Sequence, residues 1–172
     1  MVKIKWIITD DIGNVSLKEF NAEWTNIFGY FELGINDETV GYCPDRELLP
    51  AEWEFGDEEI TDWLYKLSSM IVQLENRNEC EWDLLSLNLA KIVIKKDDVL
   101  TISLMHRFSG EIWWSEKVTT QEYITELLSA VDRFVEEIRT LNSELLKSKI
   151  LSDLIDTRDK LSRSPLLNSP NS

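Results

Sequence analysis

The C-terminal third of the chain carries a 3-4 spacing of apolar residues, and this pattern constrains the fold more than any other. It places one apolar side chain per turn along the same side of a helix. The residues are Ile124, Leu127, Val131, Phe134, Ile138, Leu141 and Leu145. Thr119, with Glu122 three residues later, has the spacing of a capping box and predicts where the helix begins. The apolar spacing fails at Ser148 and Ser152, so residues 119–162 form either one bent helix or two helices.

The rest of the chain alternates between strand and helix patterns. Strands are predicted at 2–9, 26–34, 40–43, 84–95, 99–106 and 111–118, the last three as an antiparallel meander. Gly29 lies inside the second of these strands, where a glycine predicts a β-bulge. Helices are predicted at 16–24, where Ser16 and Glu19 form a capping box, and at 57–75, where apolar residues step by three and four.

This order of elements predicts an α+β fold: a mostly antiparallel sheet with helices packed on one face and a long C-terminal helical region. We expect one domain over residues 1–162, with the C-terminal helical region at 119–162. Residues 163–172 are rich in Ser, Pro and Asn, and this composition predicts a disordered tail.

Negative charge is concentrated in the middle of the chain. Residues 37–83 contain 14 Asp and Glu against 3 Lys and Arg, so they carry −11 of the total net charge of −14. Nucleic acids and anionic lipids bind proteins through Lys and Arg, so this balance argues against them as direct ligands. The same charge favours a basic protein partner and accelerates its approach.

The N-terminus lacks the pattern of a signal peptide, and no apolar run is long enough for a membrane span. We therefore expect a cytoplasmic protein. Cys43 and Cys80 are too few for a disulfide framework or a structural zinc site, and we expect both to be reduced thiols. The sequence predicts neither a cofactor nor a metal.

No residue pattern indicates catalysis. His106 is the one histidine, and its place on the apolar side of a predicted strand favours a structural role. Asp10 and Asp11 follow a strand and predict a turn. The acidic segment 45–59 lacks the spacing of a calcium loop, and the chain contains no phosphate loop and no nucleophile elbow. We therefore expect that the protein is not an enzyme.

Three tryptophans are candidate contact residues. Trp113 and Trp114 are adjacent in a strand, so their side chains should lie on opposite faces. We expect one in the core and the other covered by a helix, the alternative being an exposed aromatic anchor. Trp53 lies between Glu52 and Glu54, where it either anchors a partner or pins its own segment to the domain.

Residues 29–67 include the segments GYFELGINDETVGYCPDRELLP and FGDEEITDWLYKL. In these residues and in its acidic charge, the chain resembles bacterial toxin immunity proteins of polymorphic or contact-dependent systems. The resemblance implies a small cytoplasmic inhibitor of a cognate toxin, commonly a nuclease with a basic cleft. Excess carboxylate can cover such a cleft, so we predict a partner-binding surface on segment 45–59 and the helix that follows. Its candidate residues are Asp45, Glu47, Glu52, Trp53, Glu54, Asp57, Glu58, Glu59 and Asp62.

Three alternatives remain open at this level. A nucleic-acid mimic would carry carboxylates along its whole surface, whereas residues 84–172 contain 13 acids and 12 bases. A scaffold protein would oligomerise through the apolar positions at 124–145, although a stripe of this length beside a sheet favours packing on that sheet and a monomer. An enzyme would need converging carboxylates around His106.

Overall fold

The computed structural model describes residues 1–45, 58–84 and 89–168. The α+β class, the antiparallel pairing and the long C-terminal helical region predicted from the sequence are confirmed. In the described ranges the strands are β1 (Val2–Ile8), β2 (Phe28–Ile35), β3 (Glu38–Tyr42), β4 (Glu58–Glu59), β5 (Glu79–Leu84), β6 (Ala90–Lys96), β7 (Leu100–His106) and β8 (Ile112–Val118). The α-helices are α1 (Leu17–Glu23), α2 (Ile60–Gln73), α3 (Thr120–Asn142) and α4 (Lys149–Ser162).

The first sheet has the order β1-β2-β3, and β4 also pairs with β2. β1 and β2 pair antiparallel from Val2 opposite Ile35 to Ile8 opposite Gly29, without a break in register. The predicted bulge at Gly29 is therefore wrong, and close packing explains this glycine instead. The β2–β3 hairpin turns at Asn36, which adopts a left-handed φ of 55°.

The second sheet is a four-stranded antiparallel meander, β5-β6-β7-β8. The sequence predicted three strands here and a polar loop at residues 75–82, which covers most of β5. That assignment is wrong because β5 alternates: Cys80 and Leu84 are buried, while Glu79 and Glu81 face outward. The outward acids concealed the strand pattern. The predicted strand at 84–95 begins instead at Ala90, and residues 85–88 lie outside the described residues.

Helix α2 lies where the two sheets meet. The Trp63 indole stacks on Phe31 of β2, with ring centroids 4.7 Å apart, and meets Trp82 of β5 edge-on at 4.8 Å. Buried residues from both sheets and the helices therefore form one continuous core. The helix begins at Ile60 rather than at the predicted residue 57, because Glu58 and Glu59 pair with β2 as a short strand.

The predicted C-terminal helical region consists of two helices. The Thr119 hydroxyl accepts the N–H of Glu122 at 3.1 Å, as the capping box predicted. α3 ends at Asn142, whose side-chain amide donates to the carbonyls of Ile12 and Val15 at 2.9 and 2.8 Å. A 3₁₀ turn, Ser143–Lys147, then leads into α4. These side-chain bonds hold the end of α3 on the segment after β1, where the chain changes direction.

The apolar positions of α3 face the interior of the same chain. Six of the seven are fully buried: Ile124, Leu127, Val131, Phe134, Ile138 and, in the 3₁₀ turn, Leu145. Leu141 is the exception, with 44% of its surface exposed. The apolar stripe therefore belongs to the core and is not available for oligomerisation in this fold.

The ordered domain continues past residue 162. Residues Pro165–Asn168 form a 3₁₀ turn, and Leu166 and Leu167 pack against the core. The predicted disordered tail is therefore wrong for residues 163–168, because two leucines give this segment apolar surface to bury. Residues 169–172 lie outside the described residues. Within the described parts of the chain, none of the helices combines the length and apolarity needed to cross a bilayer.

Candidate functional site

The structure describes four of the nine predicted partner-binding residues. Asp45 is exposed, and Glu58, Glu59 and Asp62 are partly buried at the start of α2. We call Glu58, Glu59 and Asp62 the α2 acidic cluster. The other five lie outside the described residues: Glu47, Glu52, Trp53, Glu54 and Asp57.

Asp45 interacts electrostatically with Lys5 of β1. Lys5 of β1 makes a salt bridge of 2.9 Å with Glu32, which is the main cause of the raised pKa of the Lys5 amine. The charge of Asp45 adds a smaller effect in the same direction. The described interaction of Asp45 is therefore with β1, on the first sheet.

Backbone pairing and one distant side chain fix the start of α2. The N–H of Ile60 donates to the Ile27 carbonyl at 3.0 Å, and the Asn26 side-chain oxygen accepts the N–H of Asp62 at 3.1 Å. Asn26 thus caps a helix that begins 34 residues later in the chain. Glu59 occupies the N-cap position and makes no capping hydrogen bond with its side chain. Sequence analysis missed Asn26 because nothing local marks so distant a cap.

Glu58 has a structural role within the α2 acidic cluster. Its carboxylate accepts the indole N–H of Trp63 at 2.7 Å. Trp63 is 2% exposed, so this bond satisfies a donor that has no access to water. Substitution of Glu58 would therefore disturb the core as well as the surface, unlike substitution of Glu59.

Burial disfavours the charged forms of two members of the α2 acidic cluster, Glu59 and Asp62. Burial raises the pKa of Glu59, and the neighbouring charges of Asp62 and Glu58 raise it further. Burial also raises the pKa of Asp62, against a smaller opposite effect of Lys66. At neutral pH the fold therefore holds these charges at a cost in stability.

We expect Glu59→Gln to stabilise the protein at pH 7. A carboxyl whose pKa is higher in the folded state favours folding when protonated, and this contribution is lost as pH rises through the folded pKa. Glutamine resembles the protonated acid. The free energy of unfolding should rise by on the order of 0.5 kcal/mol, the size of one like-charge contact on a helix, partly offset by the α2 dipole.

Urea denaturation of both proteins between pH 3.5 and 8 measures this effect. The difference should shrink as pH falls and vanish below about 4.5, the ordinary value for glutamate. Glu38→Gln, at an exposed site in the β2–β3 hairpin, is the matched control and should change the free energy of unfolding little. A Glu59→Gln protein less stable than the original at pH 7 would show that the helix dipole outweighs the repulsion.

Acids of β5 and its neighbours form ion pairs across the second sheet. Glu79 pairs with Lys95 at 2.9 Å and Glu81 with Lys91 at 2.7 Å. Asp83, the last acid of the segment rich in negative charge, pairs with Arg107 at 2.9 Å. The outer face of the second sheet is therefore locally neutralised, and the charge excess of residues 37–83 lies elsewhere.

Carboxylates of α3 are engaged by the edge of the first sheet. Glu122 and Glu126 accept the N–H groups of Val2 and Ile4, at 3.0 and 3.2 Å. Arg133 donates to the Ile4 carbonyl at 3.3 Å and to Glu126 at 2.9 Å. These side chains satisfy the backbone of β1 and cover an edge that could otherwise pair with another strand.

The adjacent tryptophans of β8 differ in exposure. Trp114 packs against the core, whereas Trp113 is 46% exposed. The expected helix over the second indole is therefore wrong for the described residues. Phe108 and Ile112, at 74% and 57% exposure, share this end of the β7–β8 hairpin. A register shift after Leu104 breaks the alternation and leaves apolar side chains at the surface.

His106 holds the β7–β8 turn. Its Nδ1 accepts the N–H groups of Phe108 and Ser109, at 3.3 and 3.0 Å, and its ring meets Trp113 edge-on. This arrangement gives His106 a local structural role. Cys43 and Cys80 are buried free thiols, and burial raises the pKa of Cys80. Among the described residues, no group of three or more His, Cys, Asp or Glu could hold a metal ion.

Comparison with known proteins gave no match. No protein-family model matches the sequence, no curated protein matches it, and no solved structure matches the fold.

Proposed function

We propose that this protein is an immunity protein, which binds and neutralises a cognate bacterial toxin through its acidic surface. The proposed partner is a basic protein, such as a nuclease whose cleft is lined by Lys and Arg. The contact surface comprises the α2 acidic cluster and the acidic segment that precedes it in the chain, including Glu47, Glu52, Trp53, Glu54 and Asp57.

The observation that carries this proposal is which acids form salt bridges with the cations of the C-terminal helices. The salt bridges made by the cations of α3, α4 and the turn between them all go to acids of this same region. They join Arg133 to Glu126, Arg139 to Glu136, Lys147 to Glu144, Lys149 to Asp153, and Arg158 to Asp132 and Asp159. Among the described residues, no salt bridge joins any of these cations to Glu59 or Asp62.

The carboxylates of Glu59 and Asp62, which form no salt bridge with the cations of the C-terminal helices, suit a basic partner on physical grounds. Long-range attraction raises the rate of encounter with a positively charged cleft. On contact, the partner's cations would relieve the repulsion that the α2 acidic cluster carries in the free protein. Slow release would depend on buried apolar and hydrogen-bonded contacts, for which Trp53 is the proposed anchor.

Charge reversal at Glu52, Glu54 and Glu59 together tests this proposal. Glu58 is left unchanged because of its hydrogen bond to Trp63. We expect the triple lysine variant to fold normally and to bind the cognate toxin, tested as the product of the adjacent reading frame, on the order of 100-fold more weakly, mainly through slower association at low salt. Surface plasmon resonance at two salt concentrations, with growth protection against that protein, provides the measurement.

The matched control reverses Asp98, Glu136 and Glu144, three exposed acids far from α2 in the chain. It changes the net charge by the same amount, so it should retain binding and protection if position matters. Equal loss in both variants would attribute binding to net charge alone. Full binding by the Glu52, Glu54 and Glu59 variant would rule out the proposed surface.

A further inference from the structure

Asp62 lines a cleft between three helices. The cleft has a volume of about 410 Å³ and lies among the end of α1, the start of α2 and the start of α4. This volume falls within the range of small-ligand pockets, roughly 300–1,000 Å³. The residues that line it include Trp24, Asn26, Thr61, Asp62, Tyr65 and Asp153.

One polar group in the wall of this cleft lacks a partner. Thr61 is fully buried, and its hydroxyl makes no hydrogen bond within the described structure. A buried hydroxyl without a partner costs roughly 1–3 kcal/mol, so native proteins usually satisfy such a group. Its neighbour Asp62 is partly buried and makes no salt bridge among the described residues. The carboxylate of Asp62 thus has unused acceptor capacity in the cleft, beside a buried hydroxyl that has no partner.

The side chains that line the cleft carry one more negative charge than positive, and Lys66, which is outside the lining, acts on Asp62 from the next turn of α2. Asp62 and Asp153 contribute carboxylates, and Lys149 contributes one ammonium that pairs with Asp153 at 2.9 Å. An isolated helix N-terminus would favour an anion, but Asn26 and the Ile27 carbonyl already occupy N–H groups at the start of α2. The carboxylate of Asp62 therefore determines the preference, and the ligand should be a cation.

Aromatic side chains form part of the walls. Trp24 stacks on the buried ring of Phe20, with centroids 5.9 Å apart and planes 17° from parallel, which fixes the indole. Tyr65 follows Thr61 by one turn of α2 and lines the same cleft. Aromatic faces beside a carboxylate attract a flat cation, and a guanidinium suits both because it stacks and donates paired hydrogen bonds.

We propose that this cleft receives the guanidinium group of an arginine side chain from the basic partner. Asp62 accepts its N–H groups, and Trp24 and Tyr65 contact its faces. This assignment rests on the proposed function, since the partner supplies the arginine. It names a pocket within the larger acidic surface, and such pockets concentrate the binding energy of an interface.

Nuclear magnetic resonance titration with N-acetyl-arginine amide tests the cleft without the partner. We expect saturable shifts of the Trp24 indole N–H and the Thr61 and Asp62 amides, with a Kd on the order of 1–10 mM, as fits a single side chain. N-acetyl-citrulline amide has nearly the same shape without the charge, and inorganic phosphate is the anionic probe. Neither should produce these shifts.

Two variants locate the binding. Asp62→Asn should raise the Kd for the arginine probe at least tenfold, and Tyr65→Leu should raise it severalfold while retaining apolar bulk. Glu38→Gln is the control and should leave the Kd unchanged. Shifts of equal size with the citrulline probe or with phosphate, or an unchanged Kd in Asp62→Asn, would overturn the assignment.

Binding of the cognate toxin distinguishes a failure of the cleft assignment from a failure of the proposed function. If the Glu52, Glu54 and Glu59 reversal abolishes partner binding but arginine causes no shifts, the function stands and the cleft assignment fails. If arginine binds in an Asp62-dependent way but the reversal leaves partner affinity intact, the cleft is supported and the proposed surface fails.

Discussion

Leu127→Glu is expected to unfold the protein rather than to dissociate an oligomer. Leu127 lies in the middle of α3 and is fully buried in the core of its own chain. The variant loses the packing of a leucine and buries a carboxylate among apolar side chains, at a combined cost of roughly 5 kcal/mol or more. That cost is comparable with the total stability of a typical domain, about 5–15 kcal/mol. Circular dichroism and urea denaturation measure the loss.

Leu141→Glu is the matched control for this substitution. Leu141 continues the same 3-4 spacing on the same helix, but 44% of its surface is exposed. Its replacement should change the free energy of unfolding by about 0.5 kcal/mol or less, as at most surface positions. Analytical ultracentrifugation of both variants completes the test. A Leu127→Glu protein that remained folded and became monomeric would restore the scaffold alternative.

Gly29→Ala should destabilise the protein strongly, although alanine suits strands better than glycine. A Cβ at this position would overlap the Ile7 carbonyl oxygen and lie 2.8 Å from the Cδ1 atom of Ile60. Because the first obstacle is backbone, β1 and β2 would have to separate. We expect a loss of roughly 2–3 kcal/mol, the upper part of the range for overpacking, seen in thermal and urea denaturation.

Gly34→Ala provides the comparison within the same strand. The nearest atoms to its added Cβ lie 3.6–3.9 Å away, at ordinary contact distance. This variant should be neutral or more stable, by up to about 1 kcal/mol, because alanine loses less conformational entropy on folding. If both variants behaved alike, β1 and β2 would not approach as closely at Gly29 as the structure shows.

Gly29 also links the first sheet to the α2 acidic cluster. It pairs with Ile8 of β1 on one side and with Glu58 of β4 on the other. A shift of β2 at this point would move Glu58 and the start of α2. We therefore expect Gly29→Ala to weaken partner binding as well, whereas Gly34→Ala should not.

Hydrophobic periodicity predicted most of the secondary structure because it is a local property of the chain. The strand at 2–9, the capping boxes at Ser16 and Thr119, and the buried side of α3 all follow from residues close in sequence. The errors arise where contacts between residues far apart in sequence determine the secondary structure. β5 escaped prediction because its outward acids pair with Lys91 and Lys95 of β6, and β4 exists only because β2 provides a partner.

The candidate site was likewise predictable from the sequence only in part. Counting charges along the chain located an acidic region, and Glu59 and Asp62 were named from the sequence because they lie in the first turns of the helix predicted at 57–75. The count could not distinguish them from Glu79 and Glu81, whose salt bridges lie across the second sheet. Nor could the charge count predict that Trp24 and Asn26 lie beside Asp62, because α1 and the segment after it contact α2 only in the folded protein.

By itself, then, the amino-acid sequence determined the class of fold, the helices and strands with strong periodicity, and the region that carries the negative charge. These depend on neighbours a few residues apart, where backbone geometry relates sequence spacing to a shared face. Only the tertiary structure decided which carboxylates have cationic partners, which tryptophan is exposed, and which side chains line the cleft beside Asp62. Those outcomes depend on residues far apart in sequence, which the packing of two sheets and four helices in the described residues brings together.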